Sequence, residues 1–156
     1  MTRKITKDKG LMMEEIAQLI SEGKNVSITA KGYSMNPFVR HMEDTLTIGP
    51  WQDSDIKKGT AALVRTTKGE YVFHRIIERK GEHLLLEGDG NIGQKERATL
   101  DGIAGIMHSI TRKNRTISSK NLLWRIYSWT WVALRPLRRY PLALWRKLNP
   151  QQPLHR

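Results

Sequence analysis

Apolar and polar positions follow two different periods along this chain. Over residues 8–22, Leu11, Met12, Ile16, Leu19 and Ile20 recur at helical spacing, with Glu14, Glu15 and Gln18 elsewhere on the wheel. Gly23 is placed to end that helix. The pattern then shortens to strand-like segments at 26–30, 45–48, 61–66, 71–79 and 83–87, each bounded by Gly, Pro, Asn or Asp. Lys68-Gly69 and Lys80-Gly81 read as hairpin turns. Residues 103–110 read as a last strand, because Gly102 and Gly105 argue against helix. Five or six short strands with little helix between them predict a mainly β fold, an antiparallel sheet curled into a small, partly open barrel. The polar stretch 112–120 reads as a linker, 121–134 as a helix whose end Pro136 disrupts, and 150–156 as a frayed end. The expected division is an N-terminal helix (1–23), a β domain (24–111) and a helical tail (112–156), with no internal repeat.

Composition adds the tail's character. The chain has 156 residues, 38% hydrophobic and 27% charged, the balance of a soluble globular domain. It has no cysteine, which excludes disulfides and thiolate metal sites. The net charge of +12 is unevenly placed. Residues 1–101 hold 16 of the 27 Lys and Arg and all 15 Asp and Glu, so they are nearly neutral, whereas 102–156 hold the other 11 cations and no acid. Trp124, Trp129, Trp131 and Trp145 fall there too, leaving only one of the five tryptophans in the body. A balanced body thus carries a basic, aromatic tail. Glu14 and Glu15 interrupt any signal-peptide apolar region, and no run reaches the roughly 18 apolar residues of a membrane span. Neither a secretion signal nor a transmembrane helix is expected.

Three stretches bear groups capable of chemistry. In Gly32-Tyr33-Ser34-Met35-Asn36-Pro37 a serine lies just past a strand; Gly32 permits a tight turn and Pro37 keeps the loop out of the sheet. In Gly69-Glu70-Tyr71-Val72-Phe73-His74-Arg75-Ile76-Ile77, strand alternation puts His74 on one face with Val72 and Ile76, and Arg75 on the other with Phe73 and Ile77. Glu87-Gly88-Asp89-Gly90-Asn91 is a turn carrying a carboxylate. Taken singly, each has a plain structural explanation: a turn serine, a core histidine, a turn aspartate.

Taken in order, Gly-x-Ser-Met-x-Pro, then hydrophobic-His-Arg-hydrophobic, then Gly-Asp-x-Asn, they resemble the signal peptidase and LexA-like clan of serine peptidases. The closer resemblance is to the branch of the endoplasmic-reticulum signal peptidase and its bacterial relatives, in which histidine replaces the catalytic lysine. Asp55-Ile56-Lys57-Lys58-Gly59-Thr60-Ala61-Ala62-Leu63-Val64 is similar to the family's strand leading into the base, and Asp101-Gly102-Ile103-Ala104-Gly105-Ile106 to its closing strand, so the likeness covers roughly residues 24–110. The resemblance implies the clan's catalytic β fold, Ser34 as nucleophile and His74 as general base, an extended peptide substrate with small side chains beside the scissile bond, and no cofactor or metal. The residue types suit that chemistry: a serine hydroxyl needs a base to take its proton, and histidine accepts one near neutral pH. The Ser34 amide would hold the oxyanion. The branch carries a further aspartate soon after its Gly-Asp-x-Asn turn to orient the base. Here the chain reads Ile92-Gly93-Gln94-Lys95-Glu96-Arg97, with no aspartate between Asp89 and Asp101. Asp89 is the first choice for the orienting role and Glu96 the second. Lys80 is the nearest lysine for a Ser–Lys dyad, but an exposed turn lysine stays protonated. His41, His83, His108 and His155 lack metal-site spacing and read as surface or structural residues.

In 122–134, Asn121, Arg125, Ser128 and Arg135 cluster on one side of the wheel and the remaining face is apolar and aromatic. Arg135, Arg138, Arg139, Arg146 and Lys147 follow. This is the composition of an interfacial helix, so residues 119–148 are expected to meet an anionic membrane surface. Packing on the chain's own core, a partner protein and, ranked lower, single-stranded nucleic acid are the competing uses. The expected protein is a serine endopeptidase acting on a peptide or protein precursor, cytoplasmic and peripheral on the inner face of the membrane. The alternative, motivated by the missing aspartate, is a catalytically weak peptidase-like binding module.

Overall fold

The computed structural model describes residues 9–91 and 93–149. Helix α1 (Lys9–Ser21) is followed by strands β1 (Val26–Thr29), β2 (Asp44–Gly49), β3 (Ala61–Arg65), β4 (Tyr71–Lys80), β5 (His83–Glu87), β6 (Lys95–Thr99), β7 (Ile103–Arg112) and β8 (Arg115–Ser118). Helices α2 (Leu122–Ala133) and α3 (Arg139–Leu148), joined by a 3₁₀ turn at Arg135–Leu137, complete the order. Every strand pairing is antiparallel, in the order β1-β2-β7-β3-β4-β5-β6, with β8 on β7. The sheet is not closed: β1 and β6 end its main path, and β8, paired with β7 alone, is a further edge. Register shifts at Thr47/Ile48, Leu63/Val64 and Ile76/Glu78 are bulges of the kind that bend and twist strands.

Both predicted hairpin turns form. Gly69 and Gly81 sit at φ +86° and +58°, the left-handed region that a Cβ disfavours. Gly23, at φ +89°, closes α1: its N–H donates to Ile20 and that of Lys24 to Leu19, the paired bonds of a Schellman end. The inward stripe of α1 is Ile16 and Ile20 with Met13 packed beside them; Leu11, Met12 and Leu19, expected on the apolar face, are exposed.

The expected linker at 112–120 is instead the end of β7, a turn at Lys113-Asn114 and strand β8. Both turn residues have positive φ, 46° and 65°, as a two-residue hairpin requires. β6 is a second strand the pattern hid, since three of its five residues are charged and only Ala98 is buried. Residues 150–156, expected to fray and including His155, lie outside the described residues.

The sheet separates two apolar layers. On one side Ile16, Ile20, Leu46, Ile48, Leu63, Met107, Ile110 and Trp124 pack between α1, the sheet and α2. On the other, Ile56, Ala62, Val64, Ile76, Leu84, Leu86, Ala98, Ile103 and Ile106 form a second cluster. Alternation along β4 sends His74 and Ile76 toward the second layer and Phe73 and Arg75 toward the first. Successive residues of one strand therefore serve two different sites.

Candidate active site

Ser34 lies in the loop between β1 and β2. Gly32 turns the chain at φ +97°, and its N–H donates to His41 Nδ1 at 2.8 Å. The Tyr33 and His41 rings meet at 4.8 Å. The base of the loop is closed by Ala30 N–H to the Asp44 carbonyl and Met42 N–H to the Ala30 carbonyl, at 2.8 and 2.7 Å. Asp44, fully buried, accepts from Arg112 Nε and Nη2 at 2.6 and 2.7 Å and from the Arg40 N–H at 2.7 Å, while Arg112 Nη2 also reaches the Phe38 carbonyl. The hydrogen bond from Arg112 to Asp44 is the main reason the guanidinium titrates above its ordinary value. This anchor joins residues far apart in the chain and has no signature in the pattern.

The loop rests on the turn after β5. Gly90 N–H donates to the Ser34 carbonyl at 2.8 Å, and Asp89 N–H lies 3.4 Å from Met35 Sδ. Two glycines make the approach possible. A Cβ on Gly88 would stand 2.3 Å from the Ser34 carbonyl oxygen, and one on Gly90 2.7 Å from that of Tyr33. The same Gly88 position is 3.1 Å from His74 Nε2, so Ser34 and the His74 imidazole flank a single point.

His74 is buried, paired in the sheet with Ala62. Its Nδ1 lies 2.9 Å from Glu96 Oε2, on β6, whose inward face also bears Ala98. With the Nδ1 proton donated to Glu96, Nε2 is left as the acceptor on the side toward Ser34. Glu96, the second choice for orienting the base, is thus the carboxylate in contact with it.

Asp89, the first choice, is engaged elsewhere. Its two oxygens accept from Arg75 Nε and Nη2 at 2.8 and 2.7 Å, and both side chains are fully buried. The correction follows from β4 itself: Arg75 and His74 leave opposite faces, and Asp89 lies on the Arg75 side. Burial depresses the Arg75 guanidinium's affinity for its proton, but the Asp89 charge and hydrogen bond outweigh it and the net direction is upward. Tyr127 Oη donates to Asp89 Oδ2 at 3.4 Å, and Trp131 Nε1 to the Asp89 carbonyl at 3.2 Å. The Arg75 guanidinium lies over the Trp124 and Tyr127 rings, and Tyr127 stacks on Phe38 of the serine loop. Helix α2 therefore roofs the ion pair and touches both loops that meet at Ser34.

Lys80 is exposed at the end of β4 and bonded to Glu78 at 2.9 Å, which raises its pKa, the wrong direction for a base. A cleft of about 400 Å³ under α1 is lined by residues including Trp51, Arg65, Tyr71 and Asp101, and by neither Ser34 nor His74. Among the described residues no three His, Asp or Glu side chains are grouped as a metal site. His108 Nε2 faces the Pro50 carbonyl and His83 is exposed. No family model, no curated protein and no solved structure matches this chain.

Proposed function

We propose that this protein is a serine endopeptidase in which Ser34 is the nucleophile, His74 the general base and Glu96 the residue that orients it. The observation that carries the reading is the placement of His74, with Nδ1 on Glu96 and Nε2 beside the Ser34 backbone across Gly88. In the proposed reaction Ser34 Oγ attacks the carbonyl carbon of the scissile peptide bond while His74 Nε2 takes its proton, and the Ser34 N–H stabilises the oxyanion. Collapse breaks the C–N bond, and the amine leaves with the proton from His74. Water then attacks the ester carbon while His74 takes its proton; collapse breaks the bond to Ser34 Oγ, His74 returns the proton to that oxygen, and the carboxylic acid leaves.

The outer edge of β1 pairs with no strand among the described residues and runs directly into the Ser34 loop, so it offers an extended peptide a backbone ladder ending at the nucleophile. Glu96 also weighs against the binding-module alternative, whose motivation was a missing carboxylate. The test is labelling with a fluorophosphonate, located by peptide mass. Ser34 is the expected adduct, lost in Ser34→Ala, strongly reduced in His74→Ala and unchanged in Lys80→Ala. An unlabelled wild-type chain, or equal labelling of Ser34→Ala, overturns the reading.

A further inference from the structure

The helical tail has two faces, and the structure uses only one. Trp124, Ser128, Trp131 and Val132 of α2 and Leu142 of α3 are buried. Arg138, fully buried, donates to Glu87 Oε1 and the Trp131 carbonyl, Arg135 also reaches Glu87, and Arg146 donates to the Gly90 carbonyl. Three of the five cations from Arg135 to Lys147 thus bond to the body of the protein, and only Arg138 of them is buried. The outer face is apolar. Among the described residues, nine of the fourteen exposed large hydrophobic residues lie in the stretch from Leu122 to Leu148, so this surface is concentrated rather than scattered. Leu122, Ile126 and Trp129 form one stripe of α2, and Tyr140, Leu144 and Leu148 one stripe of α3. Trp129 is 74% exposed and Leu123 77%. Arg125, Arg139 and Lys147 are exposed beside these stripes, with no carboxylate partner among the described residues.

We propose that the outer face of α2 and α3 docks on an anionic lipid bilayer, with Trp129 and Leu123 in the headgroup–acyl boundary and Arg125, Arg139 and Lys147 against the lipid charge. Among the described residues no helix is long and apolar enough to cross a membrane, so this surface lies on the bilayer rather than in it. A second copy is a poor occupant, because the tail has no acidic side chain and like faces bring cations together. The inner face touches Phe38, Asp89 and Gly90, so docking holds the Ser34 loops close above the lipid. The inference stands on exposure and charge, and does not require that the chain cleave anything.

The test is co-sedimentation of the full chain with vesicles of phosphatidylcholine alone or mixed with phosphatidylglycerol. Binding is expected to the mixed vesicles, to be at least ~10-fold weaker without the anionic lipid, and to fall in molar salt, where screening shortens to about 3 Å. Trp129→Ser/Leu123→Ser, which alters only exposed side chains, should lose binding and keep its thermal transition. Ser34→Ala should bind as wild type, separating this result from that for catalysis. Since a strongly basic chain adheres to anionic vesicles through charge alone, Lys57→Glu/Lys58→Glu serves as the control. A loss there equal to that of Arg125→Glu/Arg139→Glu/Lys147→Glu overturns the proposal. So do undiminished binding by the Trp129/Leu123 variant, and a lipid-free dimer abolished by the same substitutions.

Discussion

The Asp89 carboxylate takes both of its short hydrogen bonds from the Arg75 guanidinium, at 2.8 and 2.7 Å, in a site with no solvent exposure. One residue back along β4, His74 leaves the opposite face to meet Glu96. Arg75 and Asp89 fix the turn whose Gly90 N–H holds the Ser34 carbonyl, and α2 seals them with Trp124, Tyr127 and Trp131. The pair holds the turn under the Ser34 loop and takes no part in the proposed chemistry.

Removing one partner should therefore be severe. Arg75→Met leaves a buried carboxylate without its cation, at an expected cost of about 3–5 kcal/mol. Arg75→Met/Asp89→Leu should lose less than the sum of the two single changes, because no charge remains unpaired. Urea unfolding of the four proteins measures the coupling; strict additivity would show that the two charges do not support each other.

In the proposed mechanism Glu96 acts through His74, with which it is in contact at 2.9 Å, so its signature there is kinetic. Glu96→Gln should lower kcat by on the order of 10²–10⁴-fold with little change in KM, as loss of the orienting carboxylate does in other triads. Glu96→Asp should recover part of the rate. Since the Glu96 side chain is 27% exposed, stability should change by no more than about 1 kcal/mol. A Glu96→Gln protein with wild-type kcat would remove Glu96 from the mechanism.

How much of this could be read in the sequence differs from residue to residue. Ser34 and His74 were picked out by the order of three motifs and its resemblance to a known clan; singly, a turn serine and a core histidine account for them. Glu96 was only the second choice for the orienting role, because it sits in Lys95-Glu96-Arg97, a charged run that looks like surface, and only the pairing of β5 with β6, which sets Leu86 opposite Glu96, brings it to His74. Asp44–Arg112 and Arg75–Asp89 are likewise invisible to periodicity, since each spans separate elements. A helical wheel was legible in α2, but its division was not the one observed: Ser128, grouped with the polar residues, is buried, and Leu122, Ile126 and Trp129 of the apolar face are exposed. Which face meets the core was not legible: burial of Trp124 and Trp131 and exposure of Ile126 and Trp129 depend on where Phe38, Arg75 and Asp89 lie beneath the helix.

Gly88 packs between the Ser34 backbone and the His74 imidazole. Gly88→Ala places a methyl 2.3 Å from a backbone oxygen, which no side-chain rotation relieves, so the loop must move. The expected cost is about 1–3 kcal/mol from overpacking, with turnover falling by on the order of 10²-fold for a displacement near 1 Å. Gly69→Ala is the control: its φ of +86° makes alanine strained by about 1–2 kcal/mol, but nothing lies within 4 Å and turnover should hold. Equal activity of the two variants would show that the Gly88 approach does not set the geometry of the site.

Tyr127 supplies a test of the roof over the ion pair through pH. Burial first, and the adjacent Asp89 charge second, hold its phenol well above the ordinary value of 10.0. The folded protein thus keeps this proton at pH values where an unfolded tyrosine releases it. Above about pH 10 the unfolded state binds fewer protons, so stability falls as pH rises. The stabilising contribution is fully present below about pH 10 and is lost on alkalinisation through the tyrosine range. Tyr127→Phe has no phenol to titrate. It keeps the ring against Phe38 and Trp131 and gives up only a 3.4 Å hydrogen bond to Asp89 Oδ2, so near neutral pH it should cost about 1 kcal/mol or less. In urea unfolding from about pH 8 to about pH 11 the wild type should lose stability faster than the variant, by up to about 1.4 kcal/mol per pH unit above pH 10. Every other titratable group is the same in both proteins and drops out of the difference. Parallel curves throughout would mean that Tyr127 ionises in the folded state, and that α2 does not seal the Arg75–Asp89 pair from water.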